Sequence, residues 1–166
     1  EFKLPATEAF VRANKLDKVI FDSQRRELGI VTAGKPYLDV REALKELDID
    51  EARAAQLGIR LYKLGVIYPV EREGVLAFGT GHKEVLVVEE KSAFVEEQLA
   101  TLYYHLHADR RPQITGKKDD KGARLVPDFG ETSVALIVEV LSNRIEAHGF
   151  RSGDEVADLA DVEAHS

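Results

Sequence analysis

Apolar positions along the chain follow two alternating rhythms. Short runs of aliphatic, often β-branched residues suit a pleated, buried backbone. They predict five strands, over Lys18–Phe21, 28–33, 59–64, 84–89 and 113–116. Val85-Leu86-Val87-Val88 is apolar without interruption, the pattern of a central strand covered on both faces. Between these runs apolar residues return every three or four positions, the buried stripe of an amphipathic helix. Val40, Ala43, Leu44 and Leu47 mark one such helix over 36–47, with Pro36 in its first turn, where a missing N–H is no loss. A short helix is expected over 50–56, before Gly58, and a third over 70–78. Ser92 stands where it would cap a fourth, which carries Val95, Leu99, Leu102 and Leu106. The fifth begins near Thr132 or Ser133, buries Val134, Ile137, Val138, Leu141 and Ile145, and stops at Gly149.

Strands that alternate with helices give an α/β fold, a parallel or mostly parallel sheet with helices on both faces. Asp119-Asp120-Lys121-Gly122 reads as the tip of a hairpin-like excursion after the fifth strand. Three regions are expected: an incoming linker with a short helical turn over 1–13, the α/β domain over 14–150, and an acidic tail or linker over 151–166 with a frayed helix around 156–162. The opening Glu1-Phe2-Lys3, without Met, reads as an excised piece of a longer polypeptide.

Length and composition narrow the class. The 166 residues suit one domain with a sizeable core, and the 44% hydrophobic and 32% charged shares are ordinary for a globular protein. A net charge of −7 argues against general nucleic-acid binding, which needs clustered cations to displace phosphate counterions. No run approaches the roughly 20 apolar residues of a membrane span. Cysteine is absent, so the chain offers no disulfide, thiolate nucleophile or Cys-ligated cluster, and a cytoplasmic location is expected.

Candidate chemistry is thin. The turn Thr32-Ala33-Gly34-Lys35 lies between a strand and a helix, at a carboxyl strand end, where open α/β sheets place ligands. Helix N–H groups there suit an anion, with Lys35 assisting, although the full dinucleotide glycine pattern is missing. Gly79-Thr80-Gly81-His82-Lys83 follows a helix and precedes a strand, the reverse of a P-loop, and reads as a helix end and tight turn. Glu89-Glu90-Lys91 closes the fourth strand at the same sheet edge as Gly34, where carboxylates suit acid–base work, an ion pair or a contact with a neighbouring domain. His105 and His107, two apart on the fourth helix, face different sides and cannot share a metal. Arg110-Arg111 and Lys117-Lys118 flank the fifth strand as a basic rim, either solvated or facing an anionic group of another domain.

Several segments, in order, resemble the indolepyruvate ferredoxin oxidoreductases, a family of thiamine-dependent 2-oxoacid:ferredoxin oxidoreductases. They are Leu28-Gly-Ile-Val-Thr-Ala-Gly-Lys-Pro-Tyr-Leu-Asp-Val40, Leu57-Gly-Ile-Arg-Leu-Tyr-Lys-Leu-Gly65, Tyr68-Pro69 with Glu73-Gly74, Glu84-Val-Leu-Val-Val-Glu-Glu-Lys91, and Gly116-Lys117-Lys118 through Gly130-Glu131. The matching part is similar to the transketolase C-terminal-like domain, often called domain II. That implies a three-layer α/β/α sandwich around a five-stranded mixed sheet in the order 1-3-2-4-5, with strand 1 antiparallel.

For the parent enzyme the resemblance implies oxidative decarboxylation of an aryl pyruvate to an acyl-CoA, with thiamine diphosphate, magnesium and iron–sulfur clusters, and with ferredoxin as partner. The family's diphosphate-binding Gly-Asp-Gly with its distant Asn is absent, since Gly153-Asp154 runs into Glu155, and the cluster cysteines are absent too. No cofactor is therefore expected within this chain, and no catalytic residue carries over. The chain is expected to be a non-catalytic domain packing against thiamine-binding domains in a homo- or hetero-oligomer, without nucleic acid or membrane. Thr32, Gly34, Lys35, Tyr68, Glu89, Glu90 and Lys91 are the expected interdomain or ligand contacts. The alternative is a ligand-binding module in which Gly34, Lys35 and the basic rim take a phosphate-bearing molecule such as coenzyme A.

Overall fold

The structure is a computed structural model, in which residues 3–150 are described. The acidic stretch 151–166, with its expected helix around 156–162, lies outside the described residues.

Among the described residues eleven elements follow in the order α1 (Lys3–Ala13), β1 (Lys18–Phe21), β2 (Leu28–Thr32), α2 (Gly34–Glu46), α3 (Glu51–Leu57), β3 (Ile59–Lys63), α4 (Arg72–Gly79), β4 (Glu84–Val88), α5 (Phe94–Tyr104), β5 (Gln113–Thr115) and α6 (Val134–Ala147). The strands form one sheet in the order β1-β3-β2-β4-β5. β1 runs antiparallel to β3, with a register shift between Val19 and Phe21, and every other pairing is parallel. Order and orientation are those implied by the resemblance. The polar turn after β5 is a hairpin tip: Lys118 bridges Arg124, and the Asp119 carboxylate accepts from the backbone N–H groups of Lys121 and Ala123 at 2.8 Å each.

Because side chains alternate along a strand, the two faces of the sheet carry separate cores. Ile30, Leu61, Leu86 and Val88 pack against α2, α3 and α6. Val31, Tyr62, Val85 and Val87 pack against α4 and α5. β2 and β4 are buried at all five positions, which is why, Thr32 and Glu84 at their ends apart, their sequences are apolar without alternation. Each such side chain contributes about 1.5–3 kcal/mol relative to an exposed one.

Several helix details depart from the sequence reading. The expected short turn over 1–13 is an 11-residue helix whose Val11 is buried. Its Glu8 carboxylate accepts from the Arg72 N–H at 3.0 Å and its Arg12 donates to Glu71 at 2.7 Å, so α1 is tied to the start of α4. Ser92 does not cap α5. The N-cap position is Ala93, and the Glu89 carboxylate reaches in instead, accepting from Val95 N–H at 2.8 Å and Glu96 N–H at 2.9 Å. The α5 stripe is Val95, Leu99 and Tyr103, and the helix ends at Tyr104, so Leu106, His105 and His107 are not on it. In α6 Ser133 is the cap, and the buried stripe includes Val140 and Arg144, with Val134 and Val138 only partly buried.

Candidate functional site

The carboxyl ends of β2, β3 and β4 open onto a cleft of about 540 Å³ lined by Thr32, Gly34, Leu64, Glu89 and Phe94, among others. Sheet geometry brings Thr32, Gly34, Lys35, Glu89, Glu90 and Lys91 to this one edge, since β2 and β4 are adjacent and parallel with Thr32 opposite Val88. The grouping expected from sequence is therefore present. What the side chains do there is mostly structural.

Thr32 is buried, and its hydroxyl donates to the Val88 carbonyl at 2.8 Å, pinning β2 to β4. Gly34 has φ +60°, in the left-handed region, and no atom lies within 4 Å of where a Cβ would stand. Its requirement is thus one of backbone conformation and not of space. The Lys35 ammonium donates to the Thr132 carbonyl at 2.6 Å, to Asp39 at 3.1 Å and to Glu90 at 3.5 Å, and hydrogen bonding to Asp39 holds its pKa above the usual lysine value. Glu90 also accepts from the Thr132 N–H at 3.1 Å, and the Thr132 hydroxyl donates to Asp39 at 2.6 Å. Lys35, Asp39, Glu90 and Thr132 together clamp the loop before α6 onto the start of α2.

Glu89 is occupied as well. Both its oxygens accept from the first turn of α5, and burial pushes its pKa up against those bonds. The Lys117 ammonium, held below its usual pKa by burial, donates to the Glu89 and Pro127 carbonyls at 2.7 and 2.9 Å. Arg111 closes the end of α5 by donating to the carbonyls of Tyr104 and Leu106 at 2.8 and 3.0 Å. Half of the expected basic rim is therefore internal bracing. Lys91 is exposed, at φ +57°.

The rim of the cleft is apolar and open. Ile67, Tyr68 and Phe94 are 48%, 55% and 44% exposed, and the Tyr68 and Phe94 rings lie 5.5 Å apart. Side by side at a cleft mouth, they form a surface suited to burial against another body.

The residues of this edge do not fit the cofactors that the resemblance implies for a parent enzyme. With no cysteine there is no cluster ligand, and among the described residues no group of three or more His, Asp or Glu side chains converges as a metal site. The Asp39, Glu89 and Glu90 carboxylates that could face a magnesium diphosphate are already held by Lys35, Thr132 and the N–H groups of α5. No described helix is long and apolar enough to cross a membrane.

Sequence reasoning missed the most buried charged residue among the described residues, at the opposite edge. Glu84, at the start of β4, is 2% exposed and meets Arg144 and His148 of the α6 end and the Thr115 hydroxyl. Two signals were present. A charged residue heads an otherwise apolar central strand, and Arg144 falls four residues after Val140, on the buried stripe of α6.

Comparison with known proteins places this architecture. The sequence model of the indolepyruvate oxidoreductase domain matches residues 18–165. Indolepyruvate oxidoreductase subunit IorA of Thermococcus kodakarensis is 30% identical over 118 residues, which are 71% of this chain and 15% of that protein. The subunit IorA of Methanothermobacter marburgensis is 24% identical over 157 residues, 95% of this chain and 23% of that protein. The chain thus spans less than a quarter of the length of these relatives. A 2-oxoglutarate:ferredoxin oxidoreductase from Magnetococcus marinus shares the fold with a TM-score of 0.51 at 19% identity, over 78% of this chain and 19% of the other. A split-gene transketolase, an inactive β4 tetramer, does so with a TM-score of 0.54 at 14% identity, over 78% and 41%. With five strands in the implied order and a family match across nearly all of the sequence, the chain belongs to the indolepyruvate oxidoreductase domain family.

Proposed function

We propose that this chain is a non-catalytic interface domain of a thiamine-dependent, indolepyruvate-type 2-oxoacid:ferredoxin oxidoreductase. The parent would decarboxylate aryl pyruvates to acyl-CoA in the cytoplasm, passing electrons to ferredoxin. Thiamine diphosphate, magnesium and iron–sulfur clusters would reside in its other domains. The observation that carries this reading is the state of the carboxyl edge: Lys35, Glu89 and Glu90 are consumed in internal bonds, while Ile67, Tyr68 and Phe94 stand exposed around the cleft. Groups locked by two or three bonds are poor proton carriers, whereas a clustered apolar rim gains by burial against a neighbouring domain. The α/β unit over 14–150 would present this face, with Lys91 at its margin.

The rival reading, a phosphate contact at Gly34 and Lys35, is weakened by the three oxygens that already surround the Lys35 ammonium. The interface is tested in the full-length subunit with Tyr68→Asp and Phe94→Asp together. We expect the thermal stability of this domain to be retained and assembly, followed by sedimentation, to be lost. Unchanged assembly would overturn the reading, as would a saturable thermal shift of this chain with thiamine diphosphate.

A further inference from the structure

The amino-terminal edge of the parallel strands gathers arginines from three parts of the chain. Arg26 precedes β2, Arg60 lies at the start of β3, and Arg110 precedes β5. Arg60 and Arg26 both donate to one acceptor, the Phe78 carbonyl at the end of α4, through Nη1 at 2.9 and 3.3 Å, so two guanidiniums lie side by side. Gly81 marks where the third joins them. The point where its Cβ would stand is 3.5 Å from Arg26 Cδ and 3.8 Å from Arg110 Nη2. A side chain there would fill the gap between Arg26 and Arg110, and φ +86° disfavours one.

Opposing charge is scarce. Asp22, mostly exposed, accepts from Arg60 Nε at 2.7 Å. Neither Arg26 nor Arg110 makes an ion pair among the described residues, and nearby Lys83 is paired with Glu27. The end of α4 supplies about half a negative charge. Three guanidiniums against one carboxylate leave a local excess of two positive charges, in a protein whose net charge is −7. Burial and the charge of Arg60 hold Arg26 below the usual arginine pKa. His82, 3% exposed with its ring 5.1 Å from that of Phe78, is pushed down to about 4 by burial and then by Arg60, so it stays neutral and adds no charge.

We propose that Arg26, Arg60 and Arg110 form an anion site that takes a phosphoryl group. Guanidinium forks match phosphate oxygens, Arg26 links Arg60 at the Phe78 carbonyl to Arg110 beside Gly81, and a dianion matches the excess charge, which a single carboxylate does not. The site lies on the sheet edge opposite the apolar cleft and is independent of the interface reading.

The test uses the whole chain with inorganic phosphate and pyrophosphate as probes, against chloride at matched ionic strength. We expect saturable binding by calorimetry, with the unfolding midpoint raised by about 3–5 °C at ten times the Kd. Arg110→Ala should weaken binding about tenfold, as loss of a charge-assisted bond does. Arg111→Ala, which removes the same charge one residue away, should change it less than twofold. The imidazole of His82, followed by NMR, should titrate higher when phosphate is bound, because the anion offsets Arg60 and Arg26. A purely bracing role for these arginines moves none of these readouts. Equal responses to phosphate and chloride, or equal losses in the Arg110 and Arg111 variants, would overturn the site. So would a phosphate response that appears only after Asp154→Asn, Glu155→Gln and Asp158→Asn together, which would assign the arginines to the chain's own acidic end.

Discussion

Glu84 and Arg144, sixty residues apart, meet as a two-pronged ion pair with Nε to Oε2 at 2.9 Å and Nη2 to Oε1 at 3.0 Å. Both side chains are more than nine-tenths buried. The pair ties the first residue of the central strand β4 to the last turn of α6. Removing Arg144 leaves the buried Glu84 with only His148 and the Thr115 hydroxyl as partners, the costly direction for a buried pair. Arg144→Met is expected to lower stability by about 3 kcal/mol in urea unfolding. The double variant Glu84→Leu, Arg144→Met should cost clearly less than the two single losses added, and strict additivity would show that the pair is not coupled.

His148 makes the same cluster sensitive to pH. Its Nε2 lies 2.9 Å from Glu84 and its Nδ1 3.3 Å from Glu27, so both ring nitrogens face carboxylates, an arrangement suited to the imidazolium. Arg144, Arg25 and Lys83 also pair with these carboxylates, and Asp120 lies 3.6 Å from Arg144. Hydrogen bonding to Glu84 raises the His148 pKa above its ordinary 6.5. A raised folded-state pKa stabilises fully below the unfolded value and is lost as pH rises through the folded one. Stability should therefore fall on going from about pH 6 to pH 8. Thermal unfolding of His148→Gln across that range should show a flatter profile, and an unchanged slope would remove His148 as its source.

Glu89 is expected to act as a cap and not as an acid or base. Glu89→Ala should cost about 1–2 kcal/mol, concentrated in faster amide exchange at Val95 and Glu96. In the full-length oxidoreductase proposed above, Glu89→Gln should keep turnover within a small factor of wild type. A loss of several orders of magnitude would restore the catalytic assignment.

Lys35→Ala should loosen the loop before α6, because the ammonium holds the Thr132 carbonyl and separates Asp39 from Glu90. The lysine is half exposed, so the effect should be small, fall with added salt, and appear in the exchange of amides around Thr132 and Ser133. Protection unaltered there would show that the clamp is incidental.

The sequence by itself determined the local and the two-sided features. Strands buried on both faces leave uninterrupted apolar runs, so β2 and β4 were legible, as were the stripe of α2, the start of α6 at Thr132 or Ser133 and the polar hairpin tip at 119–122. The order of the strands came from resemblance, because local periodicity carries no information about which strands pair. The tertiary structure alone decided what the charged residues do. Glu89, Lys35 and Lys117 sit where a ligand edge was expected, but whether a carboxylate or an ammonium is free depends on what the neighbouring chain offers within 3 Å. Thr132 and Asp39, 93 residues apart, are brought together only by the packing of α6 on α2. For the same reason α1 reads as a linker until Arg72 and Glu71 are seen to hold it. Hydrophobic burial is written residue by residue in the pattern, whereas a polar group's role is set by partners that only the closed fold supplies.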